Sequence, residues 1–462
     1  MRKDTGDLTS GGILHKLLLV AVPIMGTSLM QMAYNLTDMF WLGQGMGSDA
    51  VAASGTSGMY LWLSMALLMI GRLGAEIGVS QNIGRGDMDA ARGYAHSSLA
   101  LSVCLGLVYT LVMVTLNQPL IAVFNIQEAG VARDAADYLA VVSLGIPFVF
   151  ASAAITGAFN GSGNSHLSFW ANAIGLALNM VLDPLMILTF GWGVMGAAVA
   201  TVTAQVVVCA VFMVFIRRHP ARPFAAFQFF DRPRRDYIRQ ILRWSVPTAL
   251  ESMLFTLLAM ATARLVASFG AAALAVQRVG SQVESLSWLI GGGFGTAVTS
   301  FVGQNYGASQ WGRIRQGFRL AVWVMVVWGL LVTAGLFFGG RVLFAAFLKE
   351  PDILDMGAVY LRILAVCQIF ACLESVPAGA FRGQGKTVPP AVVSISANVL
   401  RVPLAYGLAA TPLGLNGVWW AVTISCMLRG GIVLWWYVFA AKRNVDRPGP
   451  PVVATAPGDG AM

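Results

Sequence analysis

Apolar segments of about twenty residues recur from one end of the chain to the other, and they limit the fold more than any other feature. A helix of that length crosses roughly 30 Å of hydrocarbon. The chain is 57% hydrophobic and only 11% charged, whereas soluble domains carry about 25% charged residues. Lipid is therefore the expected solvent for most of the chain.

About twelve such segments can be counted, six in each half of the chain. They lie near residues 17–42, 52–80, 94–116, 137–158, 167–190, 194–216, 244–269, 276–303, 317–338, 357–380, 390–410 and 416–441. We therefore predict an all-α membrane protein with about 12 transmembrane helices in two pseudo-symmetric six-helix lobes. The predicted domains are a first lobe at 1–216, a basic cytoplasmic linker at 217–243, a second lobe at 244–441 and a disordered cytoplasmic tail at 442–462.

The two halves repeat one another with a nearly constant offset. Gln81 matches Gln304 (304 − 81 = 223), and Pro23 matches Pro247 (247 − 23 = 224). Further matched pairs are Gly157 with Gly379 and Asn179 with Asn398. A duplicated helical bundle in lipid is typical of transporters, whose solute sites lie at the interface between the repeats.

Basic residues mark one side of the membrane. The net charge is +9, and arginines concentrate between the sixth and seventh spans, in every second connection and at both termini. The positive-inside rule then places both termini in the cytoplasm of a bacterial cell, with the spans in its inner (plasma) membrane. No aromatic-interleaved basic motif accompanies the arginines, so we expect them to contact lipid headgroups and not nucleic acid.

Signs of a cofactor or of an enzyme are missing from the sequence. The histidines are His15, His96, His166 and His219, and no two of them share a helix at ligand spacing. The segment ending at Lys386 is similar to the end of a phosphate-binding loop, but Ala380 stands where that loop needs glycine. We therefore expect no metal, no cofactor and no catalytic activity.

Polar side chains interrupt the first two spans. Tyr34, Asn35 and Asp38 fall on one helical face, because residues three and four apart are neighbours on a helix. In the second span, Arg72 and Glu76 are spaced i, i+4, which predicts an internal ion pair. A charge in the middle of a bilayer is costly, so each of these groups suggests a functional or structural role.

The fifth span carries a second polar stripe. It contains Asn172, Asn179 and Asp183, and Pro184 follows the acid and is expected to kink the helix beside it. Thr201 lies in the sixth span. Two carboxylates facing one cavity would repel each other, and such a pair could exchange protons for a cationic solute. The alternative is a hydrogen-bonded cluster that only fixes the packing of the helices.

The second half is polar in a different way. Glu251, Glu284 and Glu374 lie in or near the seventh, eighth and tenth spans, as candidates for a second cation site or for substrate contacts. For Glu251 and Glu374, however, structural pairing with Arg264 or Arg401 is favoured over either role. The candidate substrate-binding residues are Asn35, Asn172, Glu251, Glu284 and Glu374.

Four groups of residues carry a resemblance to a known family. They are Tyr34-Asn35-Leu36-Thr37-Asp38 followed by Trp41, the glycine, glutamine and asparagine segments near 81 and 304, Asn179-x-x-x-Asp183-Pro184, and Gly196-Ala197-Ala198-x-Ala200-Thr201. In order and spacing they resemble the multidrug and toxic compound extrusion (MATE) transporters, and most of all the DinF-like branch.

The resemblance implies a function and a site. MATE transporters export amphipathic organic cations in exchange for protons or sodium, through two lobes arranged in a V. Carried over by motif, an ion-coupling network falls on Tyr34, Asp38, Asn179, Asp183 and Thr201. We therefore expect a monomeric secondary antiporter for multidrug efflux, coupled to H+ or alternatively to Na+, whose partners are small organic cations and the bilayer.

Three other functions are compatible with a duplicated membrane bundle. The main alternative is a flippase for a lipid-linked precursor, which belongs to the same superfamily but usually has two more helices and a strongly basic cavity. An intramembrane enzyme would need a metal site or a catalytic acid cluster at a membrane surface. A channel is disfavoured only weakly by the two-lobe pattern.

Overall fold

The protein is represented by a computed structural model that describes residues 6–124, 128–218, 233–345 and 350–443. Within these ranges, the side chains of residues 34–52, 129, 271 and 441–443 are not described. Every regular element in the described ranges is helical. The helices are α1 (Ile13–Arg85), α2 (Met88–Thr115), α3 (Asn117–Ala122), α4 (Ala129–Ser143), α5 (Ile146–Gly161), α6 (Ser165–Pro184), α7 (Gly193–Arg218), α8 (Arg235–Ala267), α9 (Ala271–Gly307), α10 (Trp311–Ala345), α11 (Pro351–Gly383), α12 (Val388–Ala409) and α13 (Leu415–Arg443).

The helices confirm the predicted membrane architecture. Among the described residues, 11 helical segments are long and apolar enough to cross a membrane. The count is 12 if α4 and α5, which are bent by 45° at the break between them, cross as one span. Helices satisfy their own backbone hydrogen bonds, which is the condition for crossing lipid. The all-α fold with about 12 spans is therefore as expected.

The first helix is longer than predicted, because it contains both of the first two predicted spans. The sequence predicts separate spans at 17–42 and 52–80, but α1 is assigned as one helix of 73 residues. It contains two apolar spans, Ile13–Ala33 and Ala53–Arg85. Leu8, just before α1, and Gly84, near its end, both lie against Gln304. The first span therefore begins, and the second ends, at the same end of the bundle, so the two spans cross the membrane antiparallel to each other, as predicted.

Two groups of helices form the lobes. In the first, the second span of α1 packs with α2 and α4–α7, and in the second, α8–α13 pack together. Between them, the first span of α1 buries Leu17, Val20 and Ile24 against Phe294 and Phe301 of α9. The residue boundaries predicted for the lobes, the linker and the tail stay predictions.

The lobes meet in a symmetric contact, which we call the seam. Gln81 donates through Nε2 to the Gly383 carbonyl at 2.9 Å, and Gln304 donates in the same way to the Gly161 carbonyl at 2.9 Å. These two bonds are equivalent under the duplication, because 81 + 223 = 304 and 161 + 222 = 383. Each lobe thus contributes one amide donor and one backbone acceptor to the seam.

A pseudo-twofold axis passes through the seam. Ser80 and Gly303 are equivalent positions (303 − 80 = 223), and they contact each other across the two lobes. A residue that meets its own counterpart must lie close to the axis that relates the two repeats. The sequence duplication is therefore also a spatial symmetry, and the axis runs between α1 and α9 at the end of the bundle that carries Arg85 and Arg313.

The residues before α1 form a strap over the seam, which we define as residues 6–10. The Leu8 amide donates to Gln304 Oε1 at 2.9 Å, and the Leu8 carbonyl accepts from Asn305 Nδ2 at 3.2 Å. Arg313 also reaches the Leu8 carbonyl, through Nε at 3.3 Å. The strap leads into the first span of α1 but is fastened to the ends of α9 and α10 in the second lobe.

Asp7 gives the strap its shape. Its Oδ1 accepts from the Thr9 amide at 2.8 Å and from the Thr9 hydroxyl at 2.6 Å, and its Oδ2 accepts from the Ser10 hydroxyl. Partial burial by itself would raise the pKa of Asp7, but the hydrogen bonds from Ser10 and Thr9 outweigh it and hold the pKa below its ordinary value. The turn presents the Leu8 and Ser10 carbonyls to the second lobe.

The seam tolerates no side chain at two matched glycines, and this gives a prediction. A Cβ on Gly84 would lie 1.9 Å from the Gln304 carbonyl oxygen, and one on Gly307 would lie 2.0 Å from that of Gln81. Overpacking costs about 1–3 kcal/mol, so we expect Gly84→Ala and Gly307→Ala each to open the seam. A cysteine introduced by Ser80→Cys in a cysteine-free background reports this opening. It should react several-fold faster with a membrane-impermeant maleimide in either glycine variant than in the background with both glycines intact.

The matched control is Gly312→Ala, since Gly312 lies at the same end of the bundle and a Cβ there meets nothing within 4 Å. Unchanged labelling of the Ser80→Cys reporter in both seam variants would contradict a close-packed seam.

Candidate functional site

The first lobe buries a carboxyl–amide pair in α6. Asp183 has 0% and Asn179 4% of its surface exposed. The two residues are one helical turn apart, and Asn179 Nδ2 donates to Asp183 Oδ1 at 2.5 Å. Pro184 ends α6 immediately after the acid, and a π-helical turn, Leu185–Thr189, continues the span. The helix therefore changes from α- to π-helical geometry directly after the carboxylate, where a kink was predicted.

The other predicted residues of the first lobe are distributed less tightly. The side chains of Tyr34, Asn35 and Asp38 lie outside the described residues. Thr201 is half-buried on α7, which packs against α6. Asn172 donates through Nδ2 to the Ser168 carbonyl in its own helix at 2.7 Å, two turns before Asn179. Among the predicted residues, a described hydrogen bond joins Asn179 to Asp183.

Two ion pairs lie inside the second lobe. Glu374 Oε2 is 2.6 Å from Arg429 Nε, with both side chains more than four-fifths buried. Glu251 Oε2 is 3.9 Å from Arg382 Nη2. The prediction that these acids pair with Arg264 or Arg401 is therefore wrong. The pairing joins α8 to α11 and α11 to α13, and spacing along a single helix gives no indication of such pairs.

Glu284 and Arg401 form a further polar region of the second lobe. Glu284 is half-buried on α9 beside the Tyr360 hydroxyl of α11, and its Oε1 accepts no hydrogen bond from the described residues. Arg401 is buried on α12, and its Nε donates to Ser425 Oγ at 2.8 Å. Its guanidinium also stands over the Phe255 ring, 5.9 Å from the centroid. The interior of the second lobe thus contains both cationic and anionic side chains.

Glu76 has a role that the sequence reasoning missed. It is 3% exposed in α1 and accepts a hydrogen bond at 3.1 Å from Ser300 of the other lobe. The ion pair expected with Arg72 does not form within 4.0 Å. The sequence does contain a signal for this role. The position equivalent to Glu76 in the second repeat is Thr299 (76 + 223 = 299), so this charge has no counterpart there.

The chain contains two repeats that meet on a pseudo-twofold axis, and it buries carboxylates in both lobes. This is the architecture of a multi-pass membrane transporter. The MatE family profile matches residues 23–185 and 247–407, once in each lobe. The chain belongs to the MatE family. The two matches begin 224 residues apart (247 − 23 = 224), which agrees with the offset found between the halves.

Curated relatives match along almost the whole chain. The chain is 28% identical over 438 residues to the probable multidrug resistance protein NorM of Thermotoga maritima, with 92% of both chains covered. It is 26% identical over 442 residues to the probable multidrug resistance protein YoeA of Bacillus subtilis, covering 92% and 94%. The multidrug export protein MepA of Staphylococcus aureus is 20% identical over 429 residues, covering 92% and 94%.

Solved structures confirm the fold. One is the outward-facing conformation of a multidrug resistance MATE family transporter, with a TM-score of 0.89 and 23% identity over 97% of this chain and 100% of that chain. Another is a MATE transporter in the straight conformation, with a TM-score of 0.89 and 24% identity over 96% and 99%. The two-lobe MATE fold is therefore that of this protein.

The closer of the two ion pairs gives a prediction about stability. Arg429→Met would leave the Glu374 carboxylate buried without its cation, and breaking a buried pair costs about 3–5 kcal/mol. We expect a clearly lower melting temperature in detergent. Replacing both partners by methionine should recover part of the loss, because no unpaired charge then remains.

The matched control is the exposed pair of Arg341 and Asp355, whose charged atoms are 3.5 Å apart. Arg341→Met should cost less than about 1 kcal/mol, as exposed pairs generally do. Equal melting temperatures for Arg341→Met and Arg429→Met would contradict a structural role for the buried pair.

Proposed function

We propose that this protein is a secondary active antiporter that exports amphipathic organic cations in exchange for protons. The observation that carries the proposal is the Asp183 carboxylate, which is fully buried in a transporter fold and hydrogen-bonded to Asn179. Ionisable groups at such depth in a membrane protein are costly, and they usually mark a pathway for ions or substrate. The names of the relatives, as multidrug resistance or export proteins, support the substrate class.

The proton is suited to this site because the Asp183 side chain is fully buried. An ionised carboxylate enclosed inside a membrane protein is costly, and either a proton or a cation can neutralise it. Protonation also removes the negative charge that an organic cation would need. Protons and cationic solute therefore exclude each other at Asp183, and this exclusion is the requirement of an exchanger.

The orientation follows from the basic residues at the seam. Arg85 ends α1 and Arg313 lies in the first turn of α10, both at the end where the lobes are in contact. The positive-inside rule assigns this end to the cytoplasm of a bacterial inner membrane, together with both termini. The lobes are then closed toward the cytoplasm, which is the arrangement from which an exporter releases its substrate outward.

Two alternatives remain for the transported species. Sodium could replace the proton, and the acids of the second lobe, Glu251 and Glu374, would then be its candidate ligands. A lipid-linked precursor is the alternative substrate. The up to 12 spans counted in the described residues favour the drug exporter, since flippases of this superfamily usually have two more helices.

The test is the efflux of a fluorescent cationic dye from proteoliposomes under an imposed proton gradient. Asp183→Asn should abolish proton-driven efflux, and we expect the same of Asp38→Asn, because an amide carries no exchangeable charge. Asp89→Asn is the control, since Asp89 is highly exposed and pairs with Arg92 of its own helix. Full proton-driven transport by both variants would remove the coupling role, and efflux driven by sodium alone would reassign the ion.

A further inference from the structure

The strap meets both lobes at one point of the seam. Gln304 of the second lobe donates through Nε2 to the Gly6 carbonyl at 3.2 Å and to the Gly161 carbonyl of the first lobe at 2.9 Å. Its Oε1 accepts from the Leu8 amide at 2.9 Å. A side-chain amide has two N–H donors, so the strap and the first lobe together use both of them. The strap therefore fixes the orientation of a side chain that joins the lobes.

Gly6 also packs directly on the first lobe, against the turn between α5 and α6. A Cβ on Gly6 would clash with the Ser162 carbonyl and would lie 2.9 Å from Asn164 Nδ2. A Cβ on Gly163 would in turn clash with the Gly6 carbonyl. This turn follows Gly161, the acceptor of the seam, so the beginning of the strap lies beside a bond that joins the lobes.

The second lobe holds the rest of the strap. Asn305 donates through Nδ2 to the Leu8 carbonyl at 3.2 Å. Arg313 donates through Nε to the same carbonyl at 3.3 Å and through Nη2 to the Ser10 carbonyl at 3.0 Å. The Leu8 side chain is fully buried in the same apolar cluster as Phe301 of α9. Hydrogen bonds from a charged donor are generally the stronger ones, so we expect Arg313 to contribute most to this attachment.

The duplication shows what is particular to the strap. The residue equivalent to Ser10 in the second repeat is Arg234 (234 − 10 = 224), and its amide donates to Ser97 Oγ of the first lobe at 3.3 Å. Each repeat is therefore entered through a segment that contacts the opposite lobe. The position equivalent to Arg313 in the first repeat is Ala90 (313 − 223 = 90). The strap is thus attached by a guanidinium that has no counterpart in the other repeat.

We propose that the strap is a latch that holds the two lobes together on the cytoplasmic side. It is fastened to the second lobe, it packs on the first, and it orients the Gln304 amide toward Gly161. When the seam opens, so short a segment cannot keep its contacts with both lobes, and it must leave one of them. The attachment of the strap then sets how often the seam opens. This inference rests on the proposed function, in which the seam opens during each transport cycle.

The test measures opening of the seam without any transport. In inside-out membrane vesicles, a cysteine introduced by Ser80→Cys in an otherwise cysteine-free chain is labelled with a membrane-impermeant maleimide. We expect Arg313→Gln to raise the labelling rate about 3–10-fold, because the strap loses two hydrogen bonds to the second lobe. We expect Gly6→Ala to raise the rate by a similar factor, since the added methyl group pushes the strap away from the first lobe.

Two matched controls leave the strap attached. Arg315→Gln removes the same charge from an exposed position in the same part of α10. Gly12→Ala adds the same methyl group just after the strap, where the nearest atom, His15 Cβ, would be 3.9 Å away. Both should be labelled at the rate of the Ser80→Cys chain itself. A chain whose sole cysteine is the native Cys367, buried in α11, should stay unlabelled in every variant, which separates opening of the seam from general loosening of the fold.

Two results would overturn the inference. One is a labelling rate at the control level in either Arg313→Gln or Gly6→Ala, because a segment that matters to one lobe alone is not a latch. The other is labelling of Cys367 that rises together with that of the Ser80→Cys reporter.

Failure of the latch and failure of the proposed function give different results. If labelling rises as expected while the chain without substitutions shows no ion-driven dye efflux, the antiport is wrong and the latch stands. If efflux is ion-driven and the labelling rates do not change, only the latch is wrong.

Discussion

Each polar group inside a membrane needs a partner within the protein, because lipid offers none. The seam meets this requirement with two equivalent bonds, from Gln81 to the Gly383 carbonyl and from Gln304 to the Gly161 carbonyl. Because each lobe satisfies the other, neither amide is satisfied in this way once the lobes separate. The contact between the lobes is therefore stabilised by two hydrogen bonds that each need both lobes.

Symmetry of the backbone is combined with asymmetry of charge. The seam bonds and the close glycine contacts repeat in both lobes, as duplication implies. The acids do not repeat. Glu76 is matched by Thr299, and the position equivalent to Asp183 is Val402, before Pro403. The two lobes therefore share the geometry of their contact but differ in the acids that they bury.

The sequence alone predicted the features that depend on periodicity. The spans and the i, i+4 spacing of Asn179 and Asp183 can be read from one segment at a time, and the duplication can be read by aligning the two halves. The fold that these features predicted is confirmed. Partners on different helices were not predictable in this way. Spacing suggested Arg72 for Glu76, but the side chain turns to Ser300, since a tertiary contact decides where a buried carboxylate points.

The most direct test of this account is the distance between the lobes at the seam. Asp89 and Gly312 are equivalent and exposed (312 − 89 = 223), so cysteines there can carry spin labels in a cysteine-free background. Double electron–electron resonance in lipid should show a short distance at the closed seam and a second, longer one when pH and a cationic dye are varied. A single distance that never changes would contradict a seam that opens during transport.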